Sequence, residues 1–493
     1  MTQNDLFTIL PVLILVAWAI LLLVADLFVP RGRKGIIALL AALGLAAALG
    51  ASLALTGRST FQPGFGCMII LDGFASFAGI LILASGLLGV ALSFDYLRRT
   101  GLERGEYYVF LLVSTAGMLL MVQACDLILI FLALELISIP LYVLAGFAHP
   151  EGRSLEAALK YFLLGTFASA FFLYGIALVY GASGATSLPA VVEAIRAGEI
   201  VGSSSAGLAA DSGLLLIGAA MILVGIGFKI SAVPFHMWTP DVYQGSPTPV
   251  TAWMSVTVKV AGLAALLRIF IIAFPTVAQA LQPILWSIAA LTMFTGNLLA
   301  IVQTDLKRLL AYSSIAHVGY LLMAFIPYGN GELVSNAIGA IFFYLVGYAF
   351  ASFAAWGVVI AVEQREGRGL DLQDYAGLGR KYPWLGIAMM VAMFSFTGIP
   401  LTLGFWGKFY IFQAAVQSGA IGLAIIGVLT SLLSAYYYLR VLVVMYMRPG
   451  EPVARQDNWL NLVTIASAAA VVLLAFVPGT LFNLAARAVL YLP

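Results

Sequence analysis

Long apolar runs separated by short polar stretches make up nearly the whole chain. They fall at Phe7–Phe28, Ile36–Thr56, Met68–Phe94, Tyr107–Gln123, Leu127–Ala148, Leu155–Tyr180 and Leu214–Trp238. They continue at Val250–Phe274, Pro283–Gln303, Leu309–Ile326, Leu333–Val362, Trp384–Val416, Ile421–Met447 and Leu460–Val477, the last with an extension toward Leu492. A run of about 20 apolar residues spans the hydrocarbon core as a helix. Lipid leaves no partner for a loose backbone group, and these runs lack the alternation of a barrel strand. The pattern predicts an all-α polytopic membrane protein of about fourteen transmembrane helices.

Composition agrees. Of 493 residues, 62% are hydrophobic and 9% charged, against about 25% charged in an average soluble domain. The net charge of +2 gives no signal for nucleic acid. Two cysteines, Cys67 and Cys125, are too few for an iron–sulfur or metal motif, and no glycine-rich nucleotide loop follows a strand pattern. The expectation is no cofactor and no metal on this chain. The first run lacks a basic leader and a small-residue cleavage site, so it reads as a retained helix.

Lys and Arg orient the bundle. Seventeen of the 24 fall in loops after odd-numbered helices, among them Arg31, Arg98, Arg99, Arg153, Lys307, Arg308, Arg365, Arg368, Lys381 and Arg455. Only Arg58, Arg196, Arg268 and Arg487 fall on the other side. The positive-inside rule then puts the odd loops in the cytoplasm and both termini outside.

Lys229, Lys259 and Lys408 lie inside apolar runs, as does Glu135. Each sits eight or nine residues from the nearer end of its run, or about 12–14 Å deep in a core about 30 Å thick. A Lys at that depth costs about 2.5–3.5 kcal/mol. One reading is structural ion pairs between helices. Three lysines face one glutamate, however, so pairing leaves cations unneutralised. A buried Lys poised between desolvation and a nearby carboxylate is a group that loads and releases protons. Ser138 and Tyr142 share the face of Glu135, Ser255 and Thr251 that of Lys259, and Ser313 and Tyr320 that of His317. Such stripes also occur in ordinary packing between membrane helices. His236, beside Pro234, suits structure and proton entry equally.

Pro234 in the seventh run, and Gly398, Pro400 and Gly404 in the twelfth, predict helices broken beside Lys229 and Lys408. Helices 4–8 and 9–13 then form two five-helix units, each with a broken fourth helix. Four segments follow: 1–100 (helices 1–3), 101–275 (first unit), 276–450 (second unit) and 451–493 (helix 14).

The stretch GFKISAVPFHMWTPDVYQGSPTPVTAWMS, from Gly227 to Ser255, resembles the antiporter-like proton-pumping membrane subunits of respiratory complex I, NADH:quinone oxidoreductase. QTDLKRLLAYSSIAHVGY, from Gln303 to Tyr320, is similar to the same family, and DVYQGSPTP resembles its subunit N (subunit 2) branch. The resemblance implies two inverted five-helix repeats within a bacterial inner-membrane complex. It implies neighbouring antiporter-like subunits and other membrane-arm subunits as partners, with NADH, FMN, iron–sulfur clusters and quinone handled on other chains. It gives Glu135 the role of modulating the charge of Lys229. It makes Lys259 the central relay, takes His317 toward the second half, and puts Lys408 at the exit or the next subunit. The alternatives are a cation/proton antiporter subunit, the membrane subunit of a proton-pumping hydrogenase, and a non-catalytic scaffold.

Overall fold

A computed structural model describes residues 3–30, 33–56, 61–197, 211–364, 369–488 and 490. Arg31, Arg58, Arg365, Arg368, Leu492 and both chain ends lie outside the described residues. The chain opens with α1 (Gln3–Phe28) and α2 (Gly35–Leu55), a hairpin of β1 (Phe61–Gly64) and β2 (Ile69–Asp72), then α3 (Gly73–Thr100), α4 (Glu106–Gln123), α5 (Leu127–Ala145) and α6 (Gly152–Ser183). A short α7 (Leu188–Ala197) precedes α8 (Asp211–Ile230), α9 (Trp238–Gly245), α10 (Thr248–Ala273), α11 (Ala278–Ile301), α12 (Leu306–Phe325) and α13 (Gly331–Val362). The remainder is α14 (Leu378–Lys381), α15 (Pro383–Thr397), α16 (Leu403–Gln417), α17 (Ile421–Met447), α18 (Asn458–Leu473) and α19 (Pro478–Ala486).

Among the described residues, thirteen helices are long and apolar enough to cross a membrane. The remaining expected span is the broken pair α15 and α16. At the centre stands α10, with all of its residues buried. A helix that is apolar all round belongs in the middle of a bundle; α13 packs beside it, and α12 packs on α11 and α13, both nearly as enclosed.

The loops sort into two faces. On one face Gln244 donates to Asp305 (2.8 Å), Leu306 N–H to the Leu370 carbonyl (2.9 Å) and Arg455 N–H to the Ala361 carbonyl (2.8 Å), and Arg99 meets Asp457 (3.6 Å). On the other, Cys125 N–H donates to the Met68 carbonyl and Leu127 N–H to the Thr186 carbonyl. Carboxylates cap the helices that start there: Asp72 accepts from Ala75 N–H, and Asp126 from Ile128 and Leu129 N–H.

Both predicted breaks are present. α8 stops at Ile230, and the Phe228 carbonyl, released from the helix, accepts from Ser231 N–H and from Trp238 Nε1. Val233 N–H finds Thr292 Oγ1 at 2.9 Å, so the break leaves these backbone groups satisfied. α15 stops at Thr397 and is capped by Gly398 at φ 88°. α16 then restarts so close that a Cβ on Gly404 would lie 1.9 Å from the Ser395 carbonyl oxygen.

The first break puts Lys229 in the last turn of α8. Three expectations need correcting. The last span does not run on; it ends in a 3₁₀ turn, and Pro478 starts the separate α19. The hairpin takes up the first residues of the third run, because Asp72 starts α3 only at Gly73. Arg268 is no loop cation. It is fully buried on α10 and bonded through both terminal nitrogens to Asp72 at 2.8 and 3.0 Å, with Nε on the Val122 carbonyl.

Candidate functional site

Glu135, Lys229, Lys259, His317 and Lys408 lie along a row through the bundle, each in a small hydrogen-bonded cluster. On α5, Glu135 accepts from Ser169 Oγ of α6 at 2.5 Å. It is only half-buried, because it shares its helix face with the exposed Leu132 and Ile139; the expectation of a deeply buried glutamate does not hold for enclosure by this chain. One turn on, Ser138 accepts from Lys229 Nζ at 2.8 Å, and Tyr161 OH lies 3.5 Å from the same nitrogen.

Lys259 donates to Ser314 of α12 and, at 3.3 Å, to Tyr243 OH of α9. The rings of Tyr243 and Tyr348 flank its ammonium at 5.5 and 5.8 Å. His317 is held at both nitrogens, Nδ1 by Tyr344 OH (2.5 Å) and Nε2 by Tyr438 OH (3.1 Å), and Tyr438 OH also meets Ser313. Lys408 donates to Ser431 Oγ at 2.7 Å and to the Thr397 carbonyl at 2.9 Å. That carbonyl is free because α15 breaks there, so the broken helix supplies a ligand for the lysine. The ring of Tyr320 lies 5.0 Å from Lys408 Nζ, and its hydroxyl joins Asn297 and Thr430.

Aromatic rings separate the clusters. Tyr161 stacks on Trp238 at 4.5 Å, and Trp238 meets Tyr243 edge-on at 6.2 Å. These three rings fill the space between Lys229 and Lys259. Tyr348 stands against both Lys259 and His317. Among the described residues, no hydrogen bond joins the Lys229 cluster to the Lys259 cluster.

The partners of the three lysines decide what the row can do. All three are at most 5% exposed, yet among the described residues none has a carboxylate within 4.0 Å. A structural ion pair in this chain looks different: Arg268 and Asp72 meet bidentately and both are buried. Ser and Tyr hydroxyls both donate and accept. They can serve an ammonium and a neutral amine alike, which a carboxylate cannot do as well. Tying helices together is the work of Arg268, whereas the lysines are held by groups compatible with gaining and losing a proton.

Nearer the basic face, Asp241 of α9 takes Lys160 and Arg308, each at 2.6 Å. Burial raises its carboxyl, but the two cations outweigh that and hold it below the usual carboxylate range. His236 lies in the α8–α9 break, half-buried, with Nδ1 unpaired to any described protein group. Among the described residues, no cluster of three His, Cys, Asp or Glu is arranged to hold a metal ion.

Fold and row together define a class: a polytopic helical membrane protein with titratable side chains strung across its middle. The family model described as NADH:quinone oxidoreductase/Mrp antiporter, TM matches residues 124–434, and the chain belongs to that family. It is 44% identical to NADH-quinone oxidoreductase subunit N of Trichlorobacter lovleyi, over 98% of this chain and 97% of that one. It is 40% identical to the subunit N of Rhodospirillum rubrum, over 96% and 95%. A chain of respiratory complex I from Thermus thermophilus, solved with bound aureothin, superposes with a TM-score of 0.80 at 37% identity, covering 97% of this chain and 99% of that one. A chain of the Mrp complex from Dietzia sp. DQ12-45-1b shares the fold, with a TM-score of 0.84 at 20% identity over 99% and 97%.

Proposed function

We propose that this chain is the N-type proton-translocating membrane subunit of a NADH:quinone oxidoreductase. Glu135, Lys229, Lys259, His317 and Lys408 would carry the proton, and electron transfer through NADH, FMN, iron–sulfur clusters and quinone would take place on other chains. The carrying observation is that three buried lysines in one row rest on hydroxyl and carbonyl groups instead of carboxylates. A Lys that swaps between ammonium and amine moves one proton per cycle. Glu135, one helical turn from the Ser138 that holds Lys229, sets the local field. Its half-exposed face on α5 and α6 supports a neighbouring antiporter-like subunit packed there.

The same reading puts the chain in a bacterial plasma membrane with its basic face inward and both termini outward. A reporter fused after Pro493 should then be periplasmic, and one inserted at Pro452 cytoplasmic; two reporters on one side would refute this arrangement. The breaks α8/α9 and α15/α16, each fourth in its group of five and each beside a lysine, support residues 101–275 and 276–450 as two inverted repeats.

Lys229→Ala removes a proton carrier, and Glu135→Gln keeps shape and hydrogen bonding while deleting a charge. Both variants should assemble and both should pump less, with Lys229→Ala the more severe. Proton uptake and subunit abundance measured side by side decide the matter. Loss of assembly without any specific loss of pumping per assembled complex would favour a scaffold.

A further inference from the structure

α11 and α17 pack side by side, and each turns an apolar stripe outward. On α17, Leu432, Tyr436, Leu439, Val443 and Met447 are exposed, at spacings of four, three, four and four. On α11, Leu291, Phe294 and Leu298 are exposed at spacings of three and four, with Val302 just past the helix end. Such spacing puts each set on one face of its helix. Both stripes climb to the basic face.

Where they arrive, a cavity of about 460 Å³ opens between the end of α11, the turn before α14 and the end of α17. The half-buried Arg440 and the exposed Arg448 line it. Arg440 starts about two turns below the end of α17 and donates to the Ile301 and Gln303 carbonyls at 2.7 and 2.6 Å. It thereby sits at the negative end of the α11 dipole. Arg448 donates to Gln373 Oε1 at 3.1 Å. Each guanidinium has five N–H groups, so most donors on the two side chains remain unspent. The neighbouring basic-face cations Lys160, Arg308 and Lys381 all meet carboxylates. Among the described residues, neither Arg440 nor Arg448 has a carboxylate within 4.0 Å. Asp371 also lines the cavity, but its side chain accepts from the Asp374 N–H inside its own turn. Two cations thus face a space that no side chain of this chain neutralises.

We propose that this cavity binds the phosphate of an anionic glycerophospholipid from the leaflet on the basic face, with the acyl chains lying along the α11 and α17 stripes. Guanidinium groups take phosphate oxygens in pairs, and basic pockets between transmembrane helices on the cytoplasmic side suit such headgroups. Charge selects the headgroup, because a zwitterionic lipid brings its own cation to the arginines. The two stripes select a lipid over a soluble anion. The site lies apart from the row of lysines and stands whether or not the relay reading holds.

The test uses the intact complex in lipid nanodiscs and reads labelling, not pumping. Phosphatidylglycerol with a diazirine in its acyl chain should label the α11 and α17 peptides in preference to the same probe on phosphatidylcholine. One basic residue near an anionic surface changes affinity about fivefold, so Arg440→Gln with Arg448→Gln should cut that labelling about 30-fold. Arg448→Gln alone touches no helix-end carbonyl; it should fold normally and cost about fivefold. Arg440→Lys keeps the charge and should keep most of the labelling. Equal labelling by the two probes, or labelling that none of these changes moves, overturns the site. Inorganic phosphate should displace no more probe than chloride at the same ionic strength; specific displacement would assign the cavity to a soluble anion and overturn the lipid. A photoreactive phenylalanine analogue at Val302 should capture phospholipid, and capture of another subunit there would give the surface to protein and overturn the proposal.

Discussion

Lys259→Ala should leave the complex assembled and bring proton pumping down by about 100-fold or more, the scale of losing an essential proton-transfer group. Lys259 sits mid-helix in the fully buried α10, between Tyr243 and Ser314 on one side of the row and Tyr348 toward His317 on the other. An Ala there holds no proton, and among the described residues no other Lys, no His and no carboxylate shares that cluster's hydrogen bonds. Lys259→Arg should fail as well, since a guanidinium stays charged at any pH the complex survives. NADH:quinone turnover should fall in parallel if electron transfer is tightly coupled. Subunit abundance, turnover and the acid-gradient signal, measured on the same membranes, give the answer. Full pumping by an assembled Lys259→Ala complex would remove Lys259 from the pathway.

The second large effect falls on stability. Arg268→Ala leaves Asp72 buried with its charge unmatched, and breaking a buried pair from one side costs about 3–5 kcal/mol. Asp72 also caps α3, so the damage reaches the contact of α10 with α3 and the hairpin. We expect little assembled subunit. The double change Asp72→Asn with Arg268→Met should recover much of the loss, because Asn still caps the helix and no lone charge remains. Western quantification of the subunit and the melting temperature of the purified complex read this out. Normal abundance in Arg268→Ala would show that the pair does not hold the C-terminal end of α10 in place.

Much of the architecture is legible in the sequence because a membrane leaves few choices. Apolar length sets the spans, Lys and Arg sort the loops, and proline with glycine marks the breaks at Pro234 and Gly398. Ser138 and His317 were legible too, since they lie on the helix faces their spacing predicts. The partners that complete the row were not. Tyr161, Tyr243, Tyr344, Tyr438, Ser314 and Ser431 come from other helices, and helical spacing says nothing about which helix packs opposite. Ser255 and Thr251, which share the face of Lys259, donate to the carbonyls of Ala252 and Tyr243. Arg268 was misplaced for a related reason. Near a helix end it resembles a loop cation, and its partner Asp72 is 196 residues away in sequence. Glu135 shows the opposite error: an apolar run reveals depth in the membrane but not which side of the helix the protein covers.

The rings of Tyr161, Trp238 and Tyr243 bear on leakage. A wire of hydroxyls and water unbroken from face to face would conduct protons in both directions and let the membrane potential drain through the machine that builds it. The stacked faces of these rings offer no hydrogen-bonded path between the two tyrosine hydroxyls. On the proposed relay, transfer from Lys229 to Lys259 would wait until the rings part, and movement of the eight-residue α9, which bears two of them, would time it. The insulation that keeps the membrane charged and the gate that times delivery would then be the same three side chains.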